Sequence, residues 1–151
     1  MVRSQLPSGF VAFVKRECPT CALVEPVLAR LAEDVPLTVY TQDDPGFPAG
    51  IGPVDDRSLE MSWHCGVEVV PTLLCVEDGI EKERVIGWHR EEWEALTGAK
   101  RLGSGLPDSR PGCGSLSVAP DLAPGLAAKF GGSELRSRRV ELASAEDPFE
   151  A

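Results

Sequence analysis

The sequence predicts an α/β domain, and three observations predict it. An apolar run, Phe10-Val11-Ala12-Phe13-Val14, leads into Cys18-Pro19-Thr20-Cys21 and then into a helix-like stretch from Ala22 to Asp34. A second apolar run, Val69 to Val76, carries Pro71 near its entrance, where a residue without a backbone donor belongs. A third run, Ile80 to Ile86, follows the turn pair Asp78-Gly79 and completes a hairpin.

In chain order, the first strand delivers a CxxC pair to the start of a helix. There the first sulfur meets free backbone N–H groups and the positive end of the helix dipole. Both favour thiolate over thiol, so Cys18 becomes nucleophilic near neutral pH. Cys21 lies one turn on, within reach of a disulfide. Those two properties are what thiol–disulfide exchange requires. A CxxC can also be half of a zinc site, but such sites need a second ligand pair. The other cysteines stand singly, at 65, 75 and 113, and the only histidines are His64 and His89. No metal is expected. Pro26, five residues past Cys21, should kink the helix. Pro36 to Tyr40 is a short strand, and Asp55 to His64 a helix leading through Gly66 into Val67-Glu68-Val69-Val70. After the hairpin, Gly87-Trp88 breaks the pattern, and Arg90 to Thr97 is a last helix with Trp93 and Leu96 on one face.

A strand–CPTC–helix unit with Val-Val-Pro-Thr about fifty residues downstream resembles the thioredoxin superfamily. The resemblance covers about ninety residues, 9 to 98, and implies a three-layer fold around a central mixed sheet. It implies a cis bond between Val70 and Pro71, facing the CxxC sulfurs. Pro71 then holds its loop rigid and leaves the Val70 backbone free to pair with an extended substrate, while Gly87 lets partners approach. It implies catalytic roles for Cys18 and Cys21 and no cofactor.

Several positions depart from that family. Thioredoxins carry tryptophan before the first cysteine and Gly-Pro between the pair; here these are Glu17 and Pro19-Thr20, the latter nearer to glutaredoxins. The buried carboxylate expected six residues before the first cysteine is Ala12. Glu17 is an accessory candidate as proton acceptor, although a carboxylate there also opposes ionisation of Cys18. Few residues precede Phe10, so a compact version of the fold is expected.

Composition sets the frame. The 151 residues suit one domain plus an appendage, 42% of them are hydrophobic, and no transmembrane-length apolar run occurs. Residues 1–16 hold no extended apolar segment, so no secretory signal is expected and the cytoplasm is the simplest location, where a CxxC cycles rather than staying closed. Residues 1–98 hold 8 Lys+Arg against 17 Asp+Glu, and residues 99–151 hold 7 of each, so the net charge of −9 lies on the first unit. That argues against nucleic-acid and membrane partners. The expected partners are protein disulfides and an upstream reductase. Glutathione stays open: Lys15 and Arg16 are placed for it, and the acidic surface weighs against it.

From residue 99 to 118 the chain is dense in Gly, Pro and Ser and reads as a linker. Asp121 to Phe130 has helical spacing and Glu134 to Leu142 strand character, giving a helix–strand appendage over 119–151 or the start of a further domain. Cys113, set between Gly112 and Gly114, is either an incidental loop cysteine or an accessory thiol that resolves a mixed disulfide or is a target of the CxxC. Cys75 is expected in the core, Cys65 in the core or half-buried, and Trp88 and Trp93 as packing residues, with Trp88 the better candidate of the two for a partner-binding rim. The function expected is a thiol–disulfide oxidoreductase acting through Cys18–Cys21. The alternative is a thioredoxin-fold interaction module serving a fused or partner enzyme domain.

Overall fold

In the computed structural model the described residues are 6–118. Their centre is a five-stranded mixed sheet in the order β3-β2-β1-β5-β6. Strand β1 (Gly9–Val14) is its middle, and Val11, Ala12, Phe13 and Val14 are all buried, as expected of a strand covered on both faces. It pairs in parallel with β2 (Leu37–Thr41), which pairs in parallel with the two-residue β3 (Val54–Asp55). On its other side β1 runs antiparallel to β5 (Thr72–Glu77), and β5 antiparallel to β6 (Ile80–Ile86). The mixed α/β architecture is the one the sequence predicts.

The helical stretch after the CxxC is broken in two. Helix α1 (Pro19–Leu23) stops at Val24, and α2 (Glu25–Asp34) restarts with Pro26 in its first turn. Proline supplies no N–H for the carbonyl four residues earlier, and its ring crowds that carbonyl, so the break falls just ahead of it. Val27, Leu28 and Leu31 bury one face of α2, which packs against β2. The helix expected over 55–64 is shorter: Asp55 belongs to β3, Leu59 takes a left-handed conformation, and α3 covers only Glu60–His64. Asp56 sets this boundary. Its buried carboxylate accepts the backbone N–H groups of Met61 and Ser62 and the Ser62 hydroxyl, which caps the helix from outside it. Helix α4 (Arg90–Thr97) is as expected and packs on β5 and β6.

The largest correction concerns residues 99–118, which are not a free linker. Leu102 is fully buried, and Ser115, Ser117 and Val118 are buried too. Two short strands, β8 (Ser109–Arg110) and β9 (Cys113–Gly114), pair antiparallel with β7 (Trp88–His89) and β4 (Val69–Val70) respectively. The Arg90 guanidinium donates to the carbonyls of Leu102, Gly103 and Leu106 and to Asp108. Gln42 donates to the Ser62 and Ser115 hydroxyls at 2.9 and 2.7 Å and accepts the Leu116 N–H at 3.0 Å. The segment is thus a strap, stitched to the domain by backbone pairing and small polar side chains. Trp88 and Trp93 are packing residues, as expected: Trp88 is fully buried, donates to the Pro107 carbonyl at 2.8 Å and meets Trp93 edge-on at 5.1 Å, so it forms no open rim. Cys75 is half-buried rather than core, as is Cys65. The helix–strand unit expected over 119–151 lies outside the described residues. No helix among the described residues is long and apolar enough to cross a membrane.

Candidate active site

Cys18 is the residue just before α1, in extended conformation, with Pro19 occupying the first helical position. Proline there gives up a backbone donor that has no partner in the helix. The Cys18 sulfur lies 3.5 Å from the Val70 carbonyl oxygen, and the Val70–Pro71 bond is cis. Val70, Pro71, Cys18 and Cys21 therefore converge where the resemblance implies.

The two thiols differ sharply. The Cys18 pKa is driven well below the ordinary thiol range. Hydrogen bonds from the Cys113 and Cys21 thiols contribute most, and the N–H groups of Cys21 and Thr20 add to them against the opposing effect of burial. Cys21 is fully buried, and desolvation holds its pKa well above the usual value, reinforced by the hydrogen bond and negative charge of Cys18. The Lys15 N–H, 3.5 Å from the Cys21 sulfur, offsets little of this. Ala12 is buried, so β1 brings no carboxylate into the core at that position. The pair is thus split, with Cys18 favoured as a thiolate and Cys21 as a thiol.

Cys113 completes a cluster of three sulfurs. It stands opposite Val70, whose carbonyl the Cys18 sulfur meets at 3.5 Å, and its thiol is the largest influence lowering the Cys18 pKa. Its own pKa is raised, first by the hydrogen bond with Cys18 and then by burial, so the proton the two share stays on Cys113. Cys18 is only 1% exposed beneath this strap. The strap's backbone is fixed there by the Thr20 hydroxyl, which donates to the Pro111 carbonyl at 2.7 Å. Gly87 lies against the strap: a Cβ on it would lie 3.3 Å from the Arg110 oxygen and the Gly112 nitrogen. What approaches it is the chain's own strap.

Glu17 is exposed on the outer side of the loop, with its N–H donating to Asp43 at 3.0 Å. The same carboxylate accepts the Arg16 N–H at 2.7 Å, and the Arg16 side chain pairs with Asp44 at 3.0 Å. Asp43 thereby fixes the loop before the CxxC, a role with no sequence signal because it comes from the turn after β2, far along the chain. The strap was missed for the same reason.

No protein-family profile matches the chain. Two curated plant proteins do. Thioredoxin H-type 1 of Nicotiana tabacum is 30% identical over 83 residues, which is 54% of this chain and 57% of that protein. Thioredoxin H-type of Oryza sativa subsp. indica is 27% identical over 82 residues, 54% of this chain and 59% of that protein. The chain carries a thioredoxin-superfamily domain. The match spans less than two thirds of either relative's length.

The electrostatics give a direct expectation. A free thiol has a pKa of about 8.5 and is protonated at pH 6; in the reduced folded protein one thiolate should persist there, seen as absorbance at 240 nm. Because the folded pKa of Cys18 is depressed, its contribution to stability is fully present above the unfolded value. It is lost as pH falls through the lowered one. The raised values of Cys21 and Cys113 act oppositely, their contributions being present below the unfolded thiol value and lost as pH rises through the raised ones. Cys113→Ser should move the Cys18 titration upward. An unchanged titration in that variant would remove Cys113 from the set of groups that stabilise the thiolate.

Proposed function

We propose that the domain is a thiol–disulfide oxidoreductase in which Cys18 attacks a disulfide and Cys21 resolves the resulting mixed disulfide. The carrying observation is the split environment of the pair: Cys18 is held as a thiolate by neighbouring donors, while buried Cys21 keeps its proton until the first step has occurred. Once Cys18 is in a mixed disulfide, its negative charge is gone, and the influences that raise Cys21 through Cys18 go with it. Cys21 then ionises more easily and attacks. The order of events is built into the electrostatics.

The substrates supported are protein or small-molecule disulfides, with an upstream dithiol reductase returning the Cys18–Cys21 disulfide to the dithiol. Val70, Pro71 and Gly87 form the surface that an extended partner would meet beside Cys18, and a partner that binds there takes the place of the strap. Glutathione as a dedicated partner gains little support, since the Arg16 guanidinium is engaged by Asp44. Glu17 is a proton acceptor for Cys21 only through solvent, given its exposed position. The cytoplasm suits a cycling dithiol. An interaction-module role, with the fold kept as a scaffold, is the second reading, favoured by the burial of Cys18 beneath the strap.

The test is a single turnover with a model disulfide. The reduced protein should convert it to two thiols and end with a Cys18–Cys21 disulfide. Cys18→Ser should lower the rate by at least about a hundredfold, the scale expected when an activated nucleophile is removed. Cys21→Ser should leave Cys18 locked in a disulfide that is not resolved. A protein that consumes no disulfide, or that traps partners equally through Cys21 when Cys18 is absent, would favour the scaffold reading.

A further inference from the structure

The strap occupies the position that an extended substrate would take. Cys113 and Gly114 pair antiparallel with Val70 and Val69, and the next residue, Ser115, donates its N–H to the Glu68 carbonyl at 3.0 Å. Backbone pairing along an open edge is a general mode of peptide recognition. Here it places a cysteine directly on the nucleophile.

Three surfaces hold that segment: β4 by the ladder, the CPTC helix by the Thr20–Pro111 hydrogen bond, and the loop at Gly87 by close approach. Gly112 is required for the fit, since a Cβ on it would fall 2.3 Å from the Val70 oxygen and 2.6 Å from Val69 Cγ1. The access is ordered as well. Cys18 is buried and Cys21 fully so, whereas Cys113 is half-buried and is the most exposed residue of the three. A segment serving only as a cover has no need of a thiol opposite Val70, the residue whose carbonyl the Cys18 sulfur meets.

We propose that Cys113 is the domain's own substrate: it takes up an external thiol as a mixed disulfide, and the Cys18–Cys21 dithiol reduces it back. The proposal rests on the oxidoreductase reading above. In the loading step Cys113 passes its proton to the neighbouring Cys18 sulfur and attacks an external disulfide RSSR as the thiolate, forming Cys113–S–S–R; the released RS− takes up that proton, leaving as RSH and restoring the Cys18 thiolate. The Cys18 thiolate then attacks the Cys113 sulfur, the S–S bond to R breaks, and RS− leaves and takes up a proton. Cys21 gives up its proton, attacks the Cys18 sulfur and expels the Cys113 thiolate, which recovers a proton. Two electrons pass from the dithiol to the mixed disulfide, leaving Cys18–Cys21 oxidised and Cys113 reduced. The chemistry at the CxxC thereby serves a cysteine further along the same chain, with no separate docking step.

The experiment uses the full chain and glutathione disulfide as RSSR, with acid quenching, alkylation and peptide mapping. Cys21→Ser should stop at a Cys18–Cys113 disulfide carrying no glutathione, and Cys18→Ser should accumulate glutathione on Cys113. The proposal is overturned if Cys21→Ser instead holds glutathione on Cys18 while Cys113 stays free to alkylate. A measurement with an intact CxxC stands beside it: Cys113→Ser should slow reduction of glutathione disulfide at least tenfold, and an unchanged or faster rate means the strap is only a cover. Failure of the wild-type protein to form Cys18–Cys21 at all would strike the oxidoreductase reading itself. A normal Cys18–Cys21 disulfide with no Cys18–Cys113 intermediate would strike this inference alone.

Discussion

A chain ending at residue 100 should lose most of its stability, whereas one ending at Val118 should retain the contacts of the strap. The shorter chain removes Leu102, which is fully buried, and the carbonyl acceptors for the Trp88 indole N–H and the Arg90 guanidinium. It also removes Ser115 and Leu116, two of the three partners of the buried Gln42 side chain. Losing a buried leucine side chain costs about 2–5 kcal/mol, and each buried polar group left without a partner about 1–3 kcal/mol more. Together these rival the entire stability of an ordinary domain, about 5–15 kcal/mol. Urea denaturation followed by Trp fluorescence should show a lost or strongly shifted cooperative transition for the chain ending at 100. If its midpoint matches that of the chain ending at 118, the strap contributes nothing to the core and is a linker after all.

The contrast shows where sequence reasoning succeeds on this protein. Strand β1, the CxxC, the hairpin and α4 are legible because each is a local pattern: an apolar run, a pair of thiols at helix spacing, a turn dipeptide, an amphipathic octet. Pro71 is legible by its distance from CPTC. The strap is not, because what holds it is not in its composition. Gly112 and Gly114 look like flexibility, yet Gly112 is small so that the backbone can lie against Val70. Ser115 and Ser117 look like linker residues, yet they bridge Gln42 and the Val67 carbonyl inside the protein. Asp56 likewise shortens α3 through contacts that only the folded chain reveals. The same blindness applies to the site. Cys18 and Cys21 are visible as a motif and Cys113 as a glycine-flanked candidate, but what sets Cys113 beside the pair is the pairing of β9 with β4.

Gly112→Val should uncover Cys18. The valine Cβ would sit 2.3 Å from the Val70 oxygen and 3.0 Å from the Val70 carbonyl carbon, distances at which backbone cannot yield, so the strap must lift. Lifting it breaks the pairing of Cys113 and Gly114 with Val70 and Val69. Two consequences for Cys18 oppose each other. Its sulfur, now in a residue 1% exposed, becomes accessible, which raises the rate of alkylation by iodoacetamide. It also loses the hydrogen bond from Cys113, the largest influence lowering its pKa, which reduces the thiolate fraction. The second effect is bounded, because the Cys21 thiol and the N–H groups of Thr20 and Cys21 stay in place. Even a thiol returned to about pKa 8.5 keeps a few per cent of thiolate at pH 7, a loss of at most about thirtyfold, whereas exposing a sealed sulfur gains more than that, since reaction otherwise waits on local opening. The net expectation is alkylation of Cys18 at least about tenfold faster at pH 8, with a smaller gain at pH 6, where the lost hydrogen bond weighs most. A rate equal to wild type at pH 8 would show that the strap already leaves Cys18 open in solution.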